Sequence, residues 1–151
     1  ISLEDEIMRE NLCKAKRKDN GEWIEGYIFK LKGKEKHLMF TGEFDKSGAF
    51  PKFVHHEIEP ATICKCTGKE YMNGETAYEG DIYKNPKCGV VFVLKYGTYT
   101  AYCPADKTYM DNVGFFAEAE GYPQMPIGDL SAYALKIGNV FDNTELLEKE
   151  K

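Results

Sequence analysis

The stretch Thr67–Asp81, TGKEYMNGETAYEGD, constrains the fold more than any other part of the chain. Asn73-Gly74 lies between two segments able to pair, and both residues tolerate the positive φ of a type I′ turn. The spacing therefore predicts a hairpin corner here. Tyr78-Glu79-Gly80-Asp81 then opens an apolar run, and Gly80 marks a bulge or a close backbone approach.

Other turn signals divide the rest of the chain into short extended segments. Asn11 to Lys18 reads as a strand, and Asp19-Asn20-Gly21 as a turn. Trp23 to Leu31 alternates, with Trp23, Glu25, Tyr27, Phe29 and Leu31 on one face and Ile24, Gly26 and Ile28 on the other, which predicts the second arm of a hairpin. His37 to Thr41 and Phe53 to Ile58 read as strands, with residues 42 to 52 as a loop between them. Ala61 to Cys66 and Ala77 to Tyr83 read as extended. Val90 to Lys95 is nearly all apolar and predicts a strand buried on both faces. Gly97 is expected to break it before Thr98 to Cys103, and Pro104 to Asp111 reads as a loop. Val113 to Glu120 is compatible with a short helix or an irregular segment. Leu130 to Phe141 reads as the last strand, kinked at Gly138. Asn143 is expected to cap a helix over Thr144 to Lys149, and Ser2 a short helix through Glu10.

Ten Tyr and nine Phe in 151 residues favour strands. The expected fold is mainly β (α+β): one antiparallel β-rich domain with a small curved or barrel-like C-terminal part and short terminal helices. Within it, residues 1–7 form an N-terminal extension, 8–60 a hairpin region, 61–141 the β-rich core and 142–151 a C-terminal helix. No apolar run reaches the length needed to span a bilayer, and the acidic start ISLEDEI lacks the features of a signal peptide. With five Cys in no framework spacing, the expectation is a cytoplasmic protein with reduced thiols.

The chemistry-bearing residues do not add up to a catalytic set. Glu79 and Asp81 flank Gly80 and would share a face on a regular strand, as paired acid–base carboxylates do. No His, Lys or nucleophile stands nearby, so the structural alternative is a turn in which Asp81 accepts backbone N–H bonds. Cys64 and Cys66, with His55, His56 and Cys88 or Cys103, are a candidate zinc set. Their spacing is not that of a zinc knuckle, and buried thiols are the simpler reading, so no metal or other cofactor is expected. There is no Gly-x-Ser-x-Gly elbow and no phosphate-binding Gly-x-x-x-x-Gly-Lys-Ser/Thr loop.

Charge is uneven. The chain carries a formal −5, yet residues 14 to 36 hold eight Lys or Arg against four acids. Lys14, Lys16, Arg17, Lys18, Lys30 and Lys32, beside Trp23, Tyr27 and Phe29, are a candidate nucleic-acid surface with stacking rings. The competing reading is a solvated strand edge blunted by lysine. Tyr96, Tyr99, Tyr102, Tyr109 and Tyr122 are a further group, suited either to an interface or to cross-strand pairing.

The order of four motifs resembles the YopX family. They are the segment around Gly21, Trp23 and Gly26 (KRKDNGEWIEGY), Thr67-Gly68 with Asn73-Gly74, Glu79-Gly80-Asp81 in YEGDI, and IGNVFDNTELL with Gly138, Asn139 and Asn143. The resemblance runs from about Met8 to Leu147. It departs from the family pattern at Cys64-Lys65-Cys66, where the family tends to have Gly-Gln-aromatic, and at Thr144, where it tends to have Pro. The family is encoded by bacteriophages and prophages, chiefly of Gram-positive bacteria, so the resemblance implies a phage accessory protein in the bacterial cytoplasm. It supplies no reaction and no catalytic residue, and its motif residues read as structural. The functional expectation is a non-enzymatic protein-interaction module with a host or phage protein partner or a second copy of itself. A nucleic-acid-binding module is the alternative, and a hydrolase or metal enzyme a third reading.

Overall fold

A computed structural model describes residues 11–148. Asn-Gly and Gly turns cut the chain into alternating segments too short for stable helices, and the described residues are mainly antiparallel β. There are two sheets, one curled into half a barrel, and the helices are only short 3-10 turns. The chain falls into two compact units that meet between Cys66 and Thr67.

In the first unit, β1 (Cys13–Lys16), β2 (Trp23–Lys30), β3 (His37–Asp45) and β4 (Lys52–Glu57) pair in sequence order, and the start of β5 (Cys64–Glu70) lies on the far side of β1. The β1–β2 register sets Ala15 opposite Ile24 and Lys16 opposite Trp23. Ala15, Met39 and Ile58 form the core, with Ile24, Ile28 and Ile63 packed against it. Gly26 faces this core. A Cβ there would collide with the Phe40 carbonyl oxygen and meet Met39 Cγ at 3.0 Å, so β2 and β3 pack with no room for a side chain. The β3–β4 pairing continues to Asp45↔Lys52. The segment read as a loop over 42–52 is therefore half strand: Gly42 only bends β3, and Phe44 and Phe53 still pair across it.

The second unit holds the remainder of β5, then β6 (Thr76–Tyr78), β7 (Asp81–Lys84), β8 (Val91–Cys103), β9 (Thr108–Glu118), β10 (Met125–Pro126) and β11 (Leu135–Asn139). The order in its five-stranded sheet is β10-β9-β8-β7-β11. Its core gathers Tyr71, Tyr83, Phe92, Leu94, Ala117 and Leu130 among others. The corner at Asn73-Gly74 forms, but not as a type I′ turn. Only Gly74 has positive φ (87°), and its N–H donates to Tyr71 O at 3.0 Å while Tyr71 N–H donates to Glu75 O at 2.8 Å. This is the three-residue hairpin with a left-handed glycine as its bulge, and Asn73 contributes through its side chain, which accepts from Glu75 N at 3.0 Å.

Several sequence expectations are corrected. Val113 to Glu120 is neither helix nor irregular: nearly all of it belongs to β9, whose pairing with β8 runs unbroken from Val93↔Glu118 to Cys103↔Thr108. Pro104 to Asp111 is thus a tight turn and the start of a strand. Gly97 does not end its strand, because it faces Gly114 and both take φ values (149° and 157°) that other residues rarely adopt. Val90 to Lys95 is buried on one face only, with Phe92 and Leu94 inward. Leu130–Ala132 is a 3-10 turn rather than strand. Thr144–Leu147 is a 3-10 turn that Asn143 does not cap through its side chain. The expected helix through Glu10 lies outside the described residues.

Candidate functional site

The motif residues of the second unit converge on one carboxylate. The turn at Glu79-Gly80 aims Asp81, at the start of β7, back into the core, where it is wholly buried. One oxygen, Oδ2, accepts from the Tyr71 phenol at 2.8 Å and from Tyr78 N–H at 2.9 Å. Oδ1 lies 3.7 Å from Lys136 Nζ, itself mostly covered. Burying a carboxylate is costly unless it is paired and hydrogen-bonded, and here both conditions are met. Burial, with the Asp81 charge adding to it, pushes the Tyr71 phenol far above its ordinary range. Burial does the same to Tyr83, whose ring lies 5.9 Å from that of Tyr71.

Gly80 ties the neighbouring strands to this point. Its N–H donates to Leu94 O at 2.7 Å and its carbonyl accepts from Val140 N at 2.9 Å. Asp81 pairs with Asn139 in the β7–β11 ladder, which slips between Lys136 and Gly138. Asn139 Oδ1 accepts from Phe141 N and Asp142 N, both at 2.9 Å, and Asn143 Oδ1 accepts from Asn139 N at 3.1 Å. Asn143 thus turns back onto Asn139 instead of capping forward, and its side chain fills the space beside Gly138 that a Cβ would need. Gly68 takes a left-handed φ within β5, and Gly21 takes one in its turn in the first unit. The motif residues from Glu79 onward are pieces of a buried polar knot and its turns. Sequence reading missed Tyr71 and Lys136: Lys136 stands out only as a Lys in an apolar run, and Tyr71, among Lys69, Glu70 and Asn73, gave no signal.

This arrangement removes the paired-carboxylate site. Asp81 is sealed and satisfied, whereas Glu79 sits in the turn partly exposed, so the two share no open face. Cys64 and Cys66 are both buried on one face of β5, Cys88 is exposed, and Cys103 lies 3.8 Å from Asp106. No three His, Cys, Asp or Glu side chains gather as a metal set among the described residues. No helix among them is long and apolar enough to cross a membrane.

The basic stretch also differs from expectation. β1 is an interior strand of its sheet, and Lys14 is only 7% exposed. Lys14 and Lys16 share a face as expected, but their ammonium groups lie over the Trp23 ring, at 4.8 and 5.3 Å from its centre. Arg17 forks onto Asp19 at 2.9 and 2.6 Å, Lys18 reaches Glu57 at 3.7 Å, and Lys30 lies 4.0 Å from Glu35. Lys32 stands exposed in the β2–β3 turn. The predicted surface is therefore largely spent on contacts within the first unit, and Trp23 is a seat for lysines.

One exposed apolar surface of the second unit is the arm formed by β8 and β9 beyond the Gly97–Gly114 pair; Met72, Phe141, Leu146 and Leu147 are exposed elsewhere on that unit. Along β8, Thr98, Thr100 and Tyr102 are exposed while Tyr99, Ala101 and Cys103 are partly covered. In register, Val113, Asp111 and Tyr109 of β9 join the exposed face. Tyr109 is 65% and Val113 74% exposed. The Tyr102 and Tyr109 rings meet edge to face at 5.3 Å, and Tyr99 stacks on buried Phe116 at 5.0 Å, whereas Met110 and Asn112 leave the other face of β9 exposed as well. Tyr96 and Tyr122 are also exposed. Val113 had no signal in the sequence, because its segment was not read as strand. A scan against protein families finds no model that matches the chain, and a search of curated proteins finds no match.

Proposed function

We propose that the chain is a phage or prophage accessory protein of the YopX type, acting without catalysis as a protein-interaction module through the β8–β9 arm. The carrying observation is the exposed face of Tyr102, Tyr109 and Val113 on a ribbon whose base is packed and whose recognisable motif residues are all taken up in structure. Exposed tyrosines of this kind supply rigid contact area at interfaces. The family assignment rests on the order of the motifs and on the way Gly80, Asp81, Gly138, Asn139 and Asn143 serve one another in space. A photocrosslinking residue at Val113, compared with one at exposed Lys87, tests the reading in bacterial cells. A defined protein adduct from position 113 and not from 87 supports it; no adduct from the arm, or equal adducts from both, refutes it.

A second reading is favoured by another surface. Over residues 11–66 there are eleven Lys or Arg against eight acids, while residues 67–148 have six against twelve. In that first unit the Phe40, Phe44 and Phe53 rings cluster at 4.6 to 5.6 Å, with Phe44 and Phe53 largely exposed, and Lys46 and Lys52 flank the tip. Single-stranded nucleic acid would stack bases there and neutralise phosphate on the lysines. Binding measured across a salt series, with loss in Phe53→Ala and Lys52→Glu, is the test; salt-independent or absent binding refutes it.

A further inference from the structure

The arm has bare edges as well as an apolar face. β7 covers β8 only as far as Val93, and β10 covers β9 only at Phe116 and Ala117. The outer edge of β9 from Thr108 to Phe115 has no neighbouring strand among the described residues. On the β8 side, Gln124 Oε1 already accepts from Thr100 N at 3.2 Å. The β9 edge is the open one.

Natural sheets block such edges with lysine, proline or inward charges. Residues 96–103 and 108–115 contain no Lys, Arg or Pro, and their only charge is Asp111, which accepts from the Thr100 hydroxyl at 3.1 Å. An unguarded edge on a two-stranded ribbon, marginal by itself in water, calls for a strand beside it. We infer that this strand is the same β9 edge of a second copy of this chain, paired antiparallel about a two-fold axis so that the two arms make one four-stranded ribbon.

Charge favours this occupant. The chain carries −5 overall, so like copies repel, yet the arm is nearly neutral and is the surface along which two copies approach at least cost. With Lys107 at its tip as the one cation in residues 98–113, it offers little to phosphate. An antiparallel edge is self-complementary under a two-fold. The register that sets Tyr109 beside the other copy's Val113, an aromatic and β-branched pairing that stabilises sheets, is centred on Asp111 and sets the two Asp111 carboxylates opposite each other, which weakens the dimer. The interface is small, which makes the dimer weak and concentration-dependent.

This inference rests on the arm being the interaction surface, and the test separates the two. Sedimentation velocity of the full chain over a rising concentration series reads the dimer directly. Val113→Lys and Tyr109→Lys each restore an edge-guarding charge at an exposed position, and the two-fold repeats each charge in the partner. The expected result is a wild-type dimer whose dissociation constant rises about tenfold or more in either variant, with unchanged circular dichroism at low concentration. A wild type that stays monomeric into the high micromolar range overturns the dimer, as does a dimer that both variants leave intact. If the wild type is monomeric while Val113 still crosslinks to another protein, only the self-pairing fails. If neither is seen, both readings fail.

Discussion

Tyr71 donates its phenol hydrogen to the fully buried Asp81 at 2.8 Å. Tyr71 follows β5 and Asp81 opens β7, so this bond ties the base of the corner to the first residue of the next strand. Removing the carboxylate takes away the buried acceptor that Tyr71 O–H and Tyr78 N–H share. Asp81→Ala is expected to cost about 2–4 kcal/mol and Tyr71→Phe about 1–2 kcal/mol. Because the two are each other's partner, urea unfolding of the double variant should show less than the sum of the single losses. Full additivity would mean that the bond contributes nothing specific.

Alkaline pH probes the same place. Burial lifts the Tyr71 and Tyr83 phenols above the ordinary value near 10, with Asp81 raising Tyr71 further. The folded state holds both protons where the unfolded chain releases them. Their contribution is therefore fully present below about pH 10 and is lost as pH rises toward the folded pKa values. Stability should fall by roughly 1.4 kcal/mol per pH unit for each phenol above that point. Burial raises Tyr133 in the same direction. Tyr71→Phe should be less stable at neutral pH but lose stability with a shallower slope. Equal slopes in the two proteins, measured by urea titration between pH 9 and about pH 11, would contradict this.

Gly26→Ala tests the close β2–β3 packing. A methyl group there runs into the Phe40 carbonyl, which belongs to backbone and cannot swing aside. The expected loss is about 2 kcal/mol, at the middle of the range for overpacking, with the melting temperature as readout. A neutral outcome would show that the two strands can part.

Asn139→Ala should cost about 1–3 kcal/mol, since the amide oxygen serves both Phe141 N and Asp142 N at the end of β11. Hydrogen exchange of those two amides should speed up before the rest of the sheet does. Unchanged exchange would place the turn's stability elsewhere.

How much of this was legible in the sequence depends on the range of the interaction. Trp23 to Lys30 and the Asn73-Gly74 corner were readable because alternation and turn chemistry act locally. Lys14 was not: strand alternation makes a lysine look solvent-facing, and only the pairing of β1 on both sides, with the Trp23 ring beneath it, buries the stem. Val113 to Glu118 looked ambiguous because two phenylalanines beside Gly114 carry no clear period, and its partner lies across a hairpin that had been divided at Gly97. Asn143 looked like a cap, but the nearest unsatisfied donor in space was Asn139 N rather than a helical amide ahead of it. Asp81 was rightly suspected of accepting backbone N–H bonds, while its tyrosine and lysine partners, brought by other strands, were out of reach.

The Gly97–Gly114 step separates what folds the second unit from what its surface offers. Tyr71, Asp81 and Asn139 all lie on the body side, and no residue of the distal ribbon enters their bonds. The exposed positions Tyr102, Tyr109 and Val113 can thus change with little penalty to folding, whereas Tyr99 is tied to Phe116. Chains sharing the knot can then diverge freely in whom they meet, so kinship read from the knot carries no message about the partner.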